Sequence, residues 1–75
     1  MSNKFVMRRK RTFLTNQEIN TLKLAATGLD NPQIGKMLYV SSHTVKAHMA
    51  AIYKKLNVVN RTQAVYVAMK KHLID

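Results

Sequence analysis

Residues 30–56 read DNPQIGKMLYVSSHTVKAHMAAIYKKL, and this stretch decides the fold because two helix starts follow each other in close succession. In Asp30-Asn31-Pro32-Gln33 the pairing of Asp30 with Gln33 makes a capping box. Pro32 sits in the first turn, where a helix has no use for its N–H. Either Asp30 or Asn31 serves as the N-cap. Ile34, Met37 and Leu38 then follow at i, i+3, i+4, the spacing of a buried stripe over a helix of about two turns. Gly35 costs about 0.8–1.0 kcal/mol against Ala in a helix, so its presence points to close approach of another helix. Ser41 is a favourable N-cap, and from Ser42 the residues Val45, His48, Met49, Ile52 and Leu56 keep one face largely apolar for about four turns. About three residues join the two helices, the connection length of a helix-turn-helix.

The flanks supply two more helices. Thr15-Asn16-Gln17-Glu18 reads as a capping box, with Leu14 and Ile19 at the positions of a hydrophobic staple. Leu22, Ala25 and Ala26 continue an inward face until Gly28, the residue most tolerant of the left-handed backbone that ends a helix. Beyond Asn57-Val58-Val59, where the period breaks, Asn60-Arg61-Thr62-Gln63 offers a third box of similar form ahead of Ala64, Val65, Ala68 and Met69. The reading predicts an all-α fold, a four-helix bundle containing a helix-turn-helix, with helices over about 16–27, 31–38, 42–56 and 61–72. They form a domain spanning 13–75 behind a basic N-terminal arm, residues 1–12, expected to be flexible and disordered until something anionic binds.

Size and composition narrow the function. A chain of 75 residues hides only roughly 60% of its unfolded surface on folding, which argues against a large buried active site. There is no Cys, so apolar packing alone must hold the core, and a reducing cytoplasm is the expected compartment. No apolar run approaches the ~20 residues of a spanning helix, and the basic N-terminus lacks a signal-peptide core.

The chain carries 13 Lys and Arg against 3 Asp and Glu, a formal net charge of +10. Five of those cations, Lys4, Arg8, Arg9, Lys10 and Arg11, crowd the arm. The rest of the chain stays positive, and no acid occurs between Asp30 and Asp75. Such a field implies an anionic partner, and nucleic acid attracts it through phosphate neutralisation. A membrane surface would call for one long basic amphipathic helix, whereas three caps define a bundle.

The third helix carries the binding chemistry. Its face turned from the core presents His43, Lys46, Ala47, Ala50 and Lys54, small and basic side chains together. Ala permits close approach in a major groove ~12 Å wide and can touch a thymine methyl, while Lys can reach guanine acceptors or phosphate. We therefore expect His43, Lys46, Ala47 and Ala50 to face bases. Ser42 to Thr44 offer free N–H groups and hydroxyls to a phosphate. Lys36, Lys54, Lys55 and Arg61 are expected on the flanking backbone. On the last helix, Tyr66, Val67 and Lys70 should point outward, as a self-pairing surface or one for a foreign partner.

From Leu14 to about Ile74 the chain resembles the LuxR-type (NarL/FixJ, GerE-like) helix-turn-helix domain. Leu14-Thr15 with Glu18, Leu22, Leu24, Ala26 and Gly28 look like that family's opening. Asn31, Ile34 and Leu38 look like its scaffold helix, Thr44-Val45-Lys46, His48, Ile52 and Lys55-Leu56 with Val58 like its recognition helix and exit, and Arg61, Ala64 and Val65 like its last helix. The resemblance implies a groove-facing Lys46 and Ala47, a backbone-contacting or supporting role for Thr44, His48 and Lys55, and dimerisation through the last helix. It further implies sequence-specific binding of double-stranded DNA as a transcriptional regulator, a homodimer, and localisation to the cytoplasm and bacterial nucleoid. Departures at Gln33, Gly35 and Ala50 keep a base preference from being transferred. Domains of this kind usually follow a receiver or ligand-binding domain, and the chain looks more like a short stand-alone member, regulated by expression level or a partner.

No enzyme reading survives. Glu18 and Asp30 are caps and Asp75 is terminal, which leaves no catalytic pair. His43 and His48 are five apart and share no helix face for a metal, so neither metal nor cofactor is expected. His48 reads as a ring half-packed against the core, and the Met residues as gap fillers. The rival function is a protein-interaction module that uses the same scaffold to bind another transcription regulator or RNA polymerase.

Overall fold

Four capping residues set where the helices begin, and in a computed structural model, which describes residues 14–75, each has extended backbone dihedrals and a side chain turned onto the first turn. The helices are α1 (Asn16–Ala26), α2 (Asn31–Leu38), α3 (Ser42–Leu56) and α4 (Arg61–Lys70). Among the described residues there is no strand. The basic arm read over residues 1–12, with Arg8, Arg9, Lys10 and Arg11, lies outside them.

The boxes at Thr15 and Asp30 are complete. Thr15 Oγ1 accepts from the Glu18 N–H at 3.1 Å while Glu18 Oε1 accepts from the Thr15 N–H at 2.9 Å. Asp30, not Asn31, caps α2, with both reciprocal bonds at 2.9 Å. The third box is only half formed. Asn60 Oδ1 accepts from the Gln63 N–H at 2.8 Å, but the Gln63 side chain reaches one residue further back, to the Val59 N–H.

The helices end by a shared device. Tyr39, Asn57 and His72 all adopt left-handed backbone, with φ of 59°, 60° and 59°. In each case the next N–H donates to a carbonyl five residues back: Val40 to Gly35, Val58 to Tyr53 and Leu73 to Ala68, at 2.8–2.9 Å. That is a Schellman closure. The apolar residue after each turn, Val40, Val58 or Leu73, packs onto the core, and Leu29 does the same after Gly28 (φ 95°). Helices α1 and α4 thus stop slightly short of the ends read at residues 27 and 72.

The core is built by α3 packing against all three other helices. Leu22, Ile34, Val45 and Ile52 are fully buried, joined by Leu14, Ala25, Met49, Ala64, Ala68 and, from the C-terminal turn, Ile74. Two inward assignments fail. Ala26 is exposed, and Met37 is 58% exposed because the short α2 packs only against α1 and α3 and leaves its outer side open. Met69 is also exposed, so Met49 alone of the described methionines fills the core.

Gly35 meets a close neighbour, as its helix cost suggested. A Cβ built there would stand 2.6 Å from the Val40 carbonyl oxygen, with Ser41 and Ser42 backbone just behind. The neighbour is the turn and the first residue of α3, so the missing side chain lets α3 leave α2 at close range.

Candidate nucleic-acid interface

The inward residues of α3, Val45, Met49 and Ile52, fix its rotation. At about 100° per residue, His43, Lys46, Ala47, Ala50 and Lys54 must then fall on the opposite side, and all five are exposed. They form one ridge along a 15-residue helix, and none is an acid. At its N-terminal end Ser42 is exposed. Ser41 is the N-cap, its Oγ accepting from the Thr44 N–H and donating to Thr44 Oγ1, both at 3.0 Å. The N–H groups of Ser42 and His43 point out of this first turn without an intrahelical acceptor. Lys36 is exposed on α2.

Two cations expected on the phosphate backbone, Lys55 and Arg61, have partners inside the domain. Lys55 Nζ lies 2.8 Å from Glu18 Oε1, an ion pair joining the end of α3 to the cap of α1, with the Glu18 side chain buried and that of Lys55 about one-third exposed. Burial pushes the Glu18 carboxyl up. Hydrogen bonds from Lys55 and Thr15 and the Lys55 charge outweigh it, and the group ends below its ordinary value. Arg61 Nη1 donates to the Leu29 carbonyl at 3.3 Å, and its Nη2 donates to Asn31 Oδ1.

Neither partner has a local signature, because 37 and about 30 residues separate the groups. One clue was present for Lys55. It is seven residues from His48 and so shares the flank of α3 where the wheel passes from ridge to core.

His48 sits on that flank, half-buried, with its Nδ1 enclosed and without a hydrogen-bond partner. It lies off the ridge. No group of His, Asp and Glu among the described residues is arranged to hold a metal ion.

On α4, Ala64 and Ala68 are buried, Tyr66 is 61% exposed, Lys70 is exposed and Val67 is half-buried. The Lys70 ammonium stands 5.8 Å from the centre of the Tyr66 ring, within cation–π range. Tyr66 and Val67, with Asn57, Val58, Thr62 and Gln63, line an open groove where α3 passes into α4.

A scaffold helix, a tight turn and a helix bare along its outer side define the helix-turn-helix class. The chain belongs to the luxR family of bacterial regulatory proteins, whose pattern it matches over residues 12–68. It is 42% identical over 62 residues to the transcriptional regulatory protein LiaR of Bacillus subtilis (strain 168), which covers 83% of this chain and 29% of LiaR. To the transcriptional regulatory protein DegU of Brevibacillus brevis it is 46% identical over 57 residues, 76% of this chain and 24% of DegU. The solved response regulator ChrA of a heme-sensing two-component system superposes with a TM-score of 0.79 at 43% identity, over 81% of this chain and 30% of that one. The chain therefore spans about a quarter to a third of the length of these relatives. No helix among the described residues is long and apolar enough to cross a membrane.

Proposed function

We propose that the chain binds double-stranded DNA sequence-specifically as a transcription regulator, with α3 in the major groove. The exposed, acid-free ridge of α3 supports this most directly. Lys46 and His43 supply polar contacts to base edges, and Ala47 and Ala50 let the helix sit deep enough to use them. Ser42, Thr44, Lys36 and Lys54 contact the backbone, while Lys55 and Arg61 hold the domain in shape. His48 supports α3 from its flank. The arm, with Arg8, Arg9, Lys10 and Arg11, adds affinity that does not depend on sequence.

Two copies pair through α4, where Tyr66 and Lys70 lie on the side away from the core and Val67 is half-buried beside them. Membership of the luxR family and the naming of its relatives LiaR and DegU as transcriptional regulatory proteins support the same reading, and with it a place in the cytoplasm.

Selection of bound duplexes from a random pool, followed by gel shift, tests the proposal. A palindrome with half-sites near one helical turn apart is the expected result. No shift of any duplex at low salt leaves the interaction-module reading, in which the groove beside Tyr66 takes another regulator.

A further inference from the structure

The two strands of contact made by Arg61 have a geometric meaning. Helices α2 and α4 do not pack against each other, although each packs against α1 and α3. The Arg61 side chain crosses that gap. It rises from the first residue of α4 and reaches two different acceptors: the Leu29 carbonyl, in the linker that follows Gly28, and the Asn31 side chain, on the first residue of α2. One planar guanidinium holding two acceptors fixes direction as well as distance, which a lysine ammonium cannot do. Asp30 lies between those acceptors in sequence, but its carboxylate is occupied in capping α2.

We infer that Arg61 is a positioning residue for DNA reading: it sets the tilt of the helix-turn-helix against α4, and so the angle at which the ridge of α3 meets the groove. The step from α2 to the ridge is short. Gly35 of α2 lies directly against the backbone that begins α3, so a change in the start of α2 is passed to α3 instead of being absorbed. Arg61 thereby stands between the surface proposed for pairing two copies and the surface proposed for bases. This inference rests on the DNA-binding reading and extends the domain-holding role of Arg61 within it, that of a strut, to the angle at which bases are read.

The test compares the full chain with its Arg61→Lys, Arg61→Gln and Asn31→Ala variants and with the Arg61→Lys/Asn31→Ala double variant. Fluorescence anisotropy measures binding to the selected duplex and to a scrambled one across a salt series. The temperature is one at which circular dichroism shows every protein folded. Lys preserves the charge and can still meet a phosphate, but it loses the fork. Arg61→Lys should lower the ratio of specific to non-specific affinity by about tenfold, leave the salt slope unchanged, and leave Asn31→Ala little more to remove in the double variant.

Three results overturn the inference. An unchanged ratio in the variant marks Arg61 as merely stabilising. Full activity of Arg61→Lys together with a salt slope lowered by about one unit in Arg61→Gln identifies a phosphate contact. Binding of no duplex by the parent chain removes the DNA reading and the strut with it.

Discussion

Lys54 and Lys55 stand next to each other on α3, and the turn of about 100° between them sends one ammonium into solvent along the ridge and lays the other against Glu18, 2.8 Å away. Charge and sequence position are almost the same. What differs is azimuth: Lys54 lies opposite Ile52 and Val45, while Lys55 lies on the flank that α1 approaches. The same division runs through the domain, with Lys36, Lys46 and Lys54 turned outward and Lys55 and Arg61 holding elements together. A basic surface is therefore not a uniform supply of phosphate contacts, and part of the positive charge is structural.

The contrast breaks first at Glu18. Glu18→Gln keeps an oxygen for the Thr15 N–H but removes the charge facing Lys55, and should lower stability by about 1.5–3 kcal/mol. Thermal unfolding at neutral pH measures it, and an unchanged midpoint would show the pair to be an idle surface contact. The pair also gives a pH dependence of known sign. With the folded-state Glu18 held below its ordinary 4.5, its contribution is complete above that value and is lost as pH falls from there through the folded value. In Glu18→Gln that acid limb should flatten.

Outward cations should behave in the opposite way. Lys46→Ala should weaken the selected site by about 1–3 kcal/mol with the unfolding midpoint unchanged. Equal loss on a scrambled duplex would move Lys46 from bases to phosphate. The adjacent lysines give a finer test: Lys54→Ala should lower the slope of log affinity against log salt by about one unit, while Lys55→Ala should leave that slope in place and lower the midpoint. Interchanged results would invert the assignment.

The smallest effect belongs to Tyr39, an L-residue in left-handed backbone with its side chain 94% exposed. Relief of that strain in Tyr39→Gly, set against the greater chain freedom of glycine, should raise stability by about 0.5 kcal/mol. A fall in midpoint would reveal a contact made by the ring.

Helix starts were the most legible part of the fold. A cap is local chemistry, and Thr15, Asp30, Ser41 and Asn60 each announce one within four residues. Helix ends were less so: Gly28 and Asn57 are residue types that favour left-handed backbone, whereas Tyr39 and His72 give little sign of it. Periodicity placed Val45, Met49 and Ile52 inward, and with them the ridge outward. It overreached at Met37 and Ala26, where the apolar stripe is wider than the surface available to cover it. The internal duties of Lys55 and Arg61 were hidden because helical spacing gives a side chain's direction but not which distant element meets it.

The repeated closure at Tyr39, Asn57 and His72 bears on motion. A helix normally frays from its final turn, whose amides then exchange with solvent far faster than those of the centre. Here each final turn is tied back by a bond spanning five residues and pinned by a half-buried Val40, Val58 or Leu73. Amides at the ends of α2, α3 and α4 should therefore exchange nearly as slowly as those at mid-helix, opening only with the whole bundle, so that α3 is a rod already stiff on its own.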